Sequence, residues 1–167
     1  MIEGYDLRPA GVDDIGALDR LFQRSYARLL AVDYPPSVLV TAVPIIGRAQ
    51  PALVRSGSFY VVSGPAGLVG AGGWSLQPPG GQPGVRGTGH IRHVATDPDA
   101  VRQGVGRALM EHILMVAKAS GMAQMSCQST RTAVPFYQSM GVEALGEITV
   151  PLPGGLAFPA VRMQRLI

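Results

Sequence analysis

The chain has 167 residues, of which 47% are hydrophobic and 15% are charged, and its formal net charge is +3 at pH 7. This composition excludes a disordered chain, and the length predicts one folded domain, residues 1–167, with a sizeable core. Because the basic residues are scattered rather than clustered with aromatic residues, we expect no nucleic-acid partner.

Three further features concern location and metal content. No apolar run reaches the roughly 18 residues that span a bilayer, so we expect no membrane partner. Residues 1–6 lack the basic and apolar regions of a signal peptide, and Cys127 is the only cysteine. These two features predict a cytoplasmic location. The spacing of cysteine and histidine matches no metal site, so we expect no metal.

The first third of the chain predicts one strand and a helical pair. A short edge strand at residues 5–8 is ended by Pro9. Asp13 is the expected N-cap of a helix that runs to about residue 30. Its apolar residues recur at the spacing of one helical face: Ile15, Leu18, Phe22, Tyr26 and Leu29. Ser37 is expected to cap a second helical stretch, which its prolines divide into short or kinked pieces.

The middle of the chain predicts four strands and a long helix. Strands are expected at 58–63 and 68–76, the second weakened by its glycines. After a loop rich in proline and glycine, residues 90–96 form the next strand. A helix at 105–120 and a short strand at 123–128 complete a strand–helix–strand unit. Its two strands are expected to be parallel and adjacent.

The last part of the chain predicts a compact helix and two strands. Thr130 or Thr132 begins the helix, and Gly141 ends it. Residues 142–150 and 158–166 form the final strands, which a tip rich in proline and glycine connects.

The start of the helix at 105–120 is the most informative stretch. Gly104 and Gly106 flank one residue there, and without Cβ atoms they let a ligand approach the backbone. The free N–H groups of the first turn and the positive end of the helix dipole point at that ligand. Arg102 and Arg107 add full positive charges. The pattern predicts a pyrophosphate site.

Two common pyrophosphate loops do not fit this stretch. A Gly-x-Gly-x-x-Gly dinucleotide loop has a third glycine, but Leu109 stands at that position. A P-loop ends in Gly-Lys-Ser/Thr, but the only lysine is Lys118. The stretch instead resembles the acetyl-CoA loop of the GNAT N-acetyltransferases, Arg/Gln-x-x-Gly-x-Gly/Ala. Val101 occupies the Arg/Gln position and is a departure from that pattern.

A second motif and the order of the elements extend the resemblance over nearly the whole chain. Residues 133–142 resemble the GNAT motif Ala-x-x-Phe-Tyr-x-x-x-Gly-Phe, with Thr130 where that family usually has asparagine. The resemblance implies the GNAT fold, an α/β fold of the α+β type with a mixed central sheet of about seven strands and about four helices. In that fold a parallel strand pair splays apart after a bulge and forms the acyl-CoA cleft.

The resemblance also implies which residues bind acetyl-CoA, the expected co-substrate. Backbone groups of Val94, Ala95 and Thr96 would pair with the pantetheine arm as another strand would. The remaining expected contacts come from residues 102–107, which we call the glycine loop, and from the second motif: Arg102, Gln103, Gly104, Val105, Gly106, Arg107, Thr130 and Tyr137.

Acetyl transfer to an amine requires that the amine lose a proton and that the CoA thiolate gain one. Tyr137 matches the tyrosine that often serves as the acid in this family, with packing beside Phe136 as the alternative. His93 is the candidate base, because an unperturbed pKa near 6.5 suits proton removal at neutral pH. A structural histidine with a water chain as the proton acceptor is the alternative. Arg92 is expected to bind phosphate or acceptor, and Cys127 to be a core residue rather than a nucleophile.

By resemblance, the acceptor pocket lies between the first helix pair and the tip at 151–155. Tyr26 and Tyr34 are its expected walls and Asp33 its only acid. This favours a small, largely apolar amine or a peptide terminus over a polycation.

The sequence therefore predicts an acetyl-CoA-dependent N-acetyltransferase in which a primary amine attacks directly in a ternary complex. A homodimer is one expected assembly. The alternatives are a non-catalytic acyl-CoA-binding regulatory module and a protein-modifying acetyltransferase.

Overall fold

The structure is a computed structural model that describes residues 3–167. Its strands are β1 (Asp6–Pro9), β2 (Phe59–Gly64), β3 (Gly67–Ser75), β4 (Thr88–Thr96), β5 (Gln124–Ser129), β6 (Glu143–Leu152) and β7 (Leu156–Leu166). Its α-helices are α1 (Ile15–Leu29), α2 (Pro36–Ile46), α3 (Pro51–Val54), α4 (Val105–Ala119) and α5 (Val134–Ser139). Short 3₁₀ turns lie at Val12–Asp14, Leu30–Val32 and Pro98–Ala100.

Within the described residues, the strands form one seven-stranded sheet in the order β1–β2–β3–β4–β5–β7–β6. The β4 and β5 strands are parallel neighbours, and the other pairs are antiparallel. The mixed sheet and the parallel crossover predicted from the sequence are therefore confirmed. Five α-helices accompany the sheet rather than about four, because Pro51 opens the separate short helix α3.

Alternate residues of β2 face two different helical layers. Tyr60 and Val62 belong to the core cluster that contains the apolar face of α4. Phe59 and Val61 belong to the cluster that contains the α1 residues Leu18, Leu21 and Phe22. Because successive side chains of a strand point to opposite faces, α1 and α4 cover opposite faces of the sheet.

The glycines of β3 lie where other elements approach closely. A Cβ atom on Gly70 would collide with Val105 and lie 3.2 Å from Leu109, both on α4. A Cβ atom on Gly73 would lie 2.7 Å from the ring of Phe59 on β2. The strand predicted at 68–76 is present at Gly67–Ser75, and its glycines give α4 and β2 the room to pack against it.

The start of α1 differs from the expectation that Asp13 caps it. The carboxylate of Asp14 accepts the N–H of Gly11 at 2.8 Å and binds both terminal nitrogens of Arg8 at 2.9 Å. The hydrogen bond from Arg8 lowers the pKa of Asp14. Asp14 therefore joins the helix start to β1, and the cap lies one residue later than predicted.

Candidate active site

The parallel strands β4 and β5 separate soon after they meet. Residues 88–90 of β4 pair with 124–126 of β5, and the register shows no pairs beyond these within the described chain. On its other edge, β4 has a bulge: Ala95 faces Ala71 and Arg92 faces Gly73, so that Gly72 alone stands opposite His93 and Val94. The bulge and the splay predicted near His93 are confirmed.

A cleft of about 680 Å³ occupies this splay. Its walls come from α1, the end of β4, the loop before α4, the start of α4, and α5. Most of the predicted site residues line it: Tyr26, Val94, Ala95, Thr96, Arg102, Gly104, Val105, Gly106, Arg107, Thr130 and Tyr137.

The loop before α4 has the geometry of an anion site. Gly104 has φ +83°, a left-handed conformation that glycine adopts without strain. The first hydrogen bond of the helix runs from the N–H of Ala108 to the carbonyl of Gly104 at 3.0 Å. The N–H groups of the preceding helical residues therefore have no intrahelical acceptor. Arg102, also left-handed at φ +61°, and Arg107 line the same end of the cleft.

Gly106 is required for packing as well as for ligand approach. A Cβ atom there would lie 3.1 Å from two ring atoms of Phe136 and 3.7 Å from Oγ1 of Thr96. The missing side chain therefore lets α5 pack against the start of α4. Directly before α5, the N–H of Ala133 donates to Oγ1 of Thr130 at 3.2 Å, which fixes the turn that leads into this helix.

Ion pairs join α1 to the turn at residues 97–99, directly before the glycine loop. Arg24 binds Asp97 at 3.2 Å and Asp99 at 2.7 Å, and Arg28 binds Asp99 at 3.4 Å. Burial favours a raised pKa for Asp97, but hydrogen bonds from Arg24 and from the N–H of Asp99 outweigh it and lower that pKa. These ion pairs therefore anchor to α1 the segment that leads into the glycine loop and α4.

Tyr137 lies at the floor of the cleft, and 5% of it is exposed. Burial raises its pKa well above the usual value, and its buried neighbour Cys127 adds to the shift. Burial also raises the pKa of the Cys127 thiol to about 12 and raises the pKa of Tyr26. All three groups are therefore protonated at neutral pH. Cys127 is a core residue, as expected, but its contact with Tyr137 was not anticipated.

His93 does not reach the cleft, which contradicts its predicted role as the base. Its Nε2 lies 2.7 Å from the carbonyl oxygen of Ile46, and its ring stacks on Phe22 with 3.9 Å between centroids. The other ring nitrogen is buried without a partner in the described chain. Burial lowers the pKa of His93 to about 4. An enclosed imidazole cannot take a proton from an acceptor amine, so His93 instead joins the β4 bulge to α1 and α2.

Tyr34 is a structural residue rather than a wall of the acceptor pocket. Its hydroxyl donates to the carbonyl of Pro159 at 2.6 Å and accepts the N–H of Arg131 at 2.9 Å. Its ring stacks on Phe158 with 4.8 Å between centroids. The residue is 3% exposed and connects the turn before α2 to β7.

Two other predicted residues also lie outside the cleft. Asp33 is exposed at the surface, so the acid expected in the acceptor pocket is not there. The side chain of Gln103 turns away from the cleft, and its Oε1 accepts the hydroxyl of Tyr5 at 2.7 Å. Of the three predicted acceptor residues, Tyr26 therefore lines the cleft, whereas Tyr34 and Asp33 do not.

Several cleft residues were missed by the sequence reasoning: Ser25, Leu29, Leu30, Thr132, Pro135, Phe136 and Ser139. Ser25 and Leu29 are one helical turn apart beside Tyr26, so the helical spacing could have found them. The Oγ1 of Thr132 is buried and has no hydrogen-bond partner in the described chain. Its hydroxyl is available to a polar atom of a ligand.

Within residues 3–167, no group of three or more histidine, cysteine, aspartate or glutamate side chains could hold a metal ion. In the same part of the chain, no helix is long and apolar enough to cross a membrane.

The sheet order, the splay and the glycine loop together define an N-acetyltransferase fold of the GNAT type. The model of the family "Acetyltransferase (GNAT) domain" matches residues 55–144, more than half of the chain. The chain therefore belongs to the GNAT acetyltransferase family.

Two curated relatives match shorter stretches. The glucosamine 6-phosphate N-acetyltransferase of Trypanosoma brucei brucei is 31% identical over 61 residues, 36% of this chain and 42% of that protein. The [ribosomal protein bS18]-alanine N-acetyltransferase of Escherichia coli (strain K12) is 38% identical over 52 residues, 29% of this chain and 35% of that protein. The matched stretch is less than half the length of either relative.

Solved structures share the fold over nearly the whole chain. A GCN5-related N-acetyltransferase from Rhodopseudomonas palustris has a TM-score of 0.78 and 22% identity, covering 100% of this chain and 98% of that chain. The PaiA N-acetyltransferase from Thermoplasma acidophilum, in complex with coenzyme A, has a TM-score of 0.69 and 12% identity. That match covers 98% of this chain and 99% of the other.

Proposed function

We propose that this chain transfers the acetyl group of acetyl-CoA to a primary amine of a small molecule or a peptide. The observation that carries the proposal is the cleft at the splay of β4 and β5. One end of it has free helical N–H groups with two arginines, and the other has the buried, protonated Tyr137. By their names, the curated relatives acetylate glucosamine 6-phosphate and an alanine of a ribosomal protein.

The residues of the cleft fit coenzyme A in chemical type. The pyrophosphate would lie over residues 104–107, with Arg102 and Arg107 as its counter-charges. The backbone of residues 94–96 has lost its β5 partner at the splay and is therefore open to the amide groups of the pantetheine arm. The unpartnered hydroxyl of Thr132 offers a further donor or acceptor.

Acetyl-CoA supplies the activated acetyl group, and the residues of the chain stabilise its transfer. The amine attacks the thioester carbonyl directly, while backbone N–H groups at the bulge stabilise the negative charge on the carbonyl oxygen. Tyr137 is within the cleft and protonated, so its hydroxyl donates the proton to the departing sulfur. Because His93 is enclosed, the proton of the amine leaves to water.

The test is thiol release from acetyl-CoA with a panel of primary amines, followed by the mass of each acetylated product. Turnover with at least one amine supports the proposal. Tight binding of acetyl-CoA without thiol release from any amine contradicts it. That result would favour the acyl-CoA-binding regulatory module, for which Val101 at the family's Arg/Gln position is the specific observation.

A further inference from the structure

Arg92 on β4 is a partly buried arginine whose hydrogen-bond partners are neutral. Its Nη1 donates to Oγ of Ser75 at 3.0 Å, and its Nη2 donates to Oε1 of Gln50 at 2.9 Å. In residues 3–167, the ion pairs involve other arginines, and none brings a carboxylate within 4.0 Å of Arg92. A guanidinium has about five N–H donors, so several remain for a further partner. Burial lowers the pKa of Arg92, since the neutral partners do not compensate its charge.

His90 adds a second unsatisfied group beside Arg92. Its Nε2 is buried and has no hydrogen-bond partner in the described residues. Burial and the charge of Arg92 lower the pKa of His90, so the ring is neutral at pH 7 and carries one N–H. His90 stands opposite Ser75, the residue that Arg92 binds. Gln50, Ser75, His90 and Arg92 are therefore one group of side chains, which we call the Arg92 cluster.

The Arg92 cluster lies beside the splay on the face of the sheet opposite α4. His90 is the last residue of β4 that pairs with β5. Arg92 is the next residue on that face, and its partner Gln50 directly precedes α3, which packs with α1. Val94, which lines the cleft, is two residues further along β4, past the bulge. The glycine loop lies on the α4 side, and the four residues of the Arg92 cluster lie outside the cleft lining, so an acceptor that reached them would extend from the cleft along the opposite face of β4.

We propose that the Arg92 cluster binds an anionic group, a carboxylate or a phosphate, carried by the amine that accepts the acetyl group. Arginine binds both anions through paired N–H donors, and His90 is a second polar side chain there whose Nε2 has no partner in the described residues. The acceptor is then an amino acid or an amino sugar phosphate rather than a purely apolar amine. This inference rests on the proposed acetyl transfer to an amine.

Matched probe pairs test the inference with the full chain. Glucosamine 6-phosphate is compared with glucosamine, and β-alanine with β-alaninamide, by calorimetry and by kcat/KM with acetyl-CoA. We expect at least a tenfold preference for the anionic member of one pair, and that pair identifies the anion. Arg92→Met should abolish the preference and leave the affinity for the neutral member unchanged. Arg92→Lys should retain part of it, because a lysine keeps the charge but not the paired donors.

Arg55→Met is the matched control, since Arg55 is exposed and the substitution removes the same charge. It should keep the preference of the unmodified chain, and thermal melts of all variants establish that they are folded. No preference in the unmodified chain, or an equal preference in Arg92→Met, overturns the inference while turnover of neutral amines upholds the proposed function. Anion binding that depends on Arg92, without acetyl transfer to any probe, overturns the acceptor role of the cluster, while the wider amine panel decides the proposed function separately.

Discussion

The hydroxyl of Tyr137 and the thiol of Cys127 are neighbours in one core cluster beside the cleft, and both side chains are buried. Burial keeps the proton on each group at neutral pH. A protonated phenol is what an acid for the departing thiolate requires. A thiol with a pKa of about 12 is a poor nucleophile at pH 7, because the thiolate is the reactive form. The same environment therefore supports the acid and suppresses the rival covalent pathway.

Substitution Tyr137→Phe should lower kcat by roughly ten- to a thousandfold, at or below the usual contribution of one general acid. The ring and its packing stay, so the affinity for acetyl-CoA should change little. Steady-state kinetics and calorimetry on the same preparation separate the two effects. Full activity in this variant would return Tyr137 to a packing role.

Substitution Cys127→Ser should retain turnover, because direct attack by the amine does not use the thiol. It should lower the free energy of unfolding by about 1–3 kcal/mol, since a more polar group is buried. Chemical denaturation measures the loss, and Cys127→Ala shows the effect of removing the polar neighbour of Tyr137. An acetyl group trapped on Cys127 and detected by mass spectrometry would contradict direct attack by the amine.

Two substitutions at Gly106 separate packing from charge. Gly106→Ala requires Phe136 to shift by a few tenths of an ångström and should weaken acetyl-CoA binding only modestly. Gly106→Asp adds a negative charge where the pyrophosphate would lie and should weaken binding by more than tenfold. Calorimetric titration with acetyl-CoA measures both, with circular dichroism as the control for folding. Equal affinities in the two variants would show that the pyrophosphate lies elsewhere.

His93 should make the stability of the fold depend on pH between about 4 and 6.5. The folded pKa, about 4, lies below the ordinary value of 6.5, so in this window the unfolded chain binds a proton that the folded chain does not. The free energy of unfolding should therefore fall as the pH falls, by up to about 1.4 kcal/mol per pH unit from this group.

The His93→Asn variant should be less stable at pH 7 and should show a weaker pH dependence in this window. Asparagine is among the residues that tolerate the left-handed backbone at this position, φ +57°. Urea unfolding of both proteins at several pH values gives the difference. Parallel curves would mean that the His93 ring takes up protons in the folded state as readily as in the unfolded one.

The spacing of residues within one element was sufficient to predict most helices and strands and the proposed pyrophosphate end of the cleft. The helical stripe around Phe22 and the pair Gly104 and Gly106 are patterns within one element, and both lie where the sequence predicted. The predicted roles of Tyr34 and His93 were wrong because the placement of both side chains depends on contacts between distant segments. The hydroxyl of Tyr34 bonds to Pro159, 125 residues away, and His93 bonds to Ile46, 47 residues away. Neither pairing leaves a signal in the local sequence.

The short pairing of β4 with β5 has a consequence for the cooperativity of the whole sheet. Three residue pairs join the ladder formed by β1 to β4 to the ladder formed by β5, β7 and β6. Every antiparallel pair within the two ladders has more paired residues than this junction, so the junction has the fewest backbone pairs across the sheet. A pantetheine chain that bonded to the free edge of β4 would extend this junction. Substrate would then act as a structural cross-link, and the two halves would lose their independence in local unfolding when it bound.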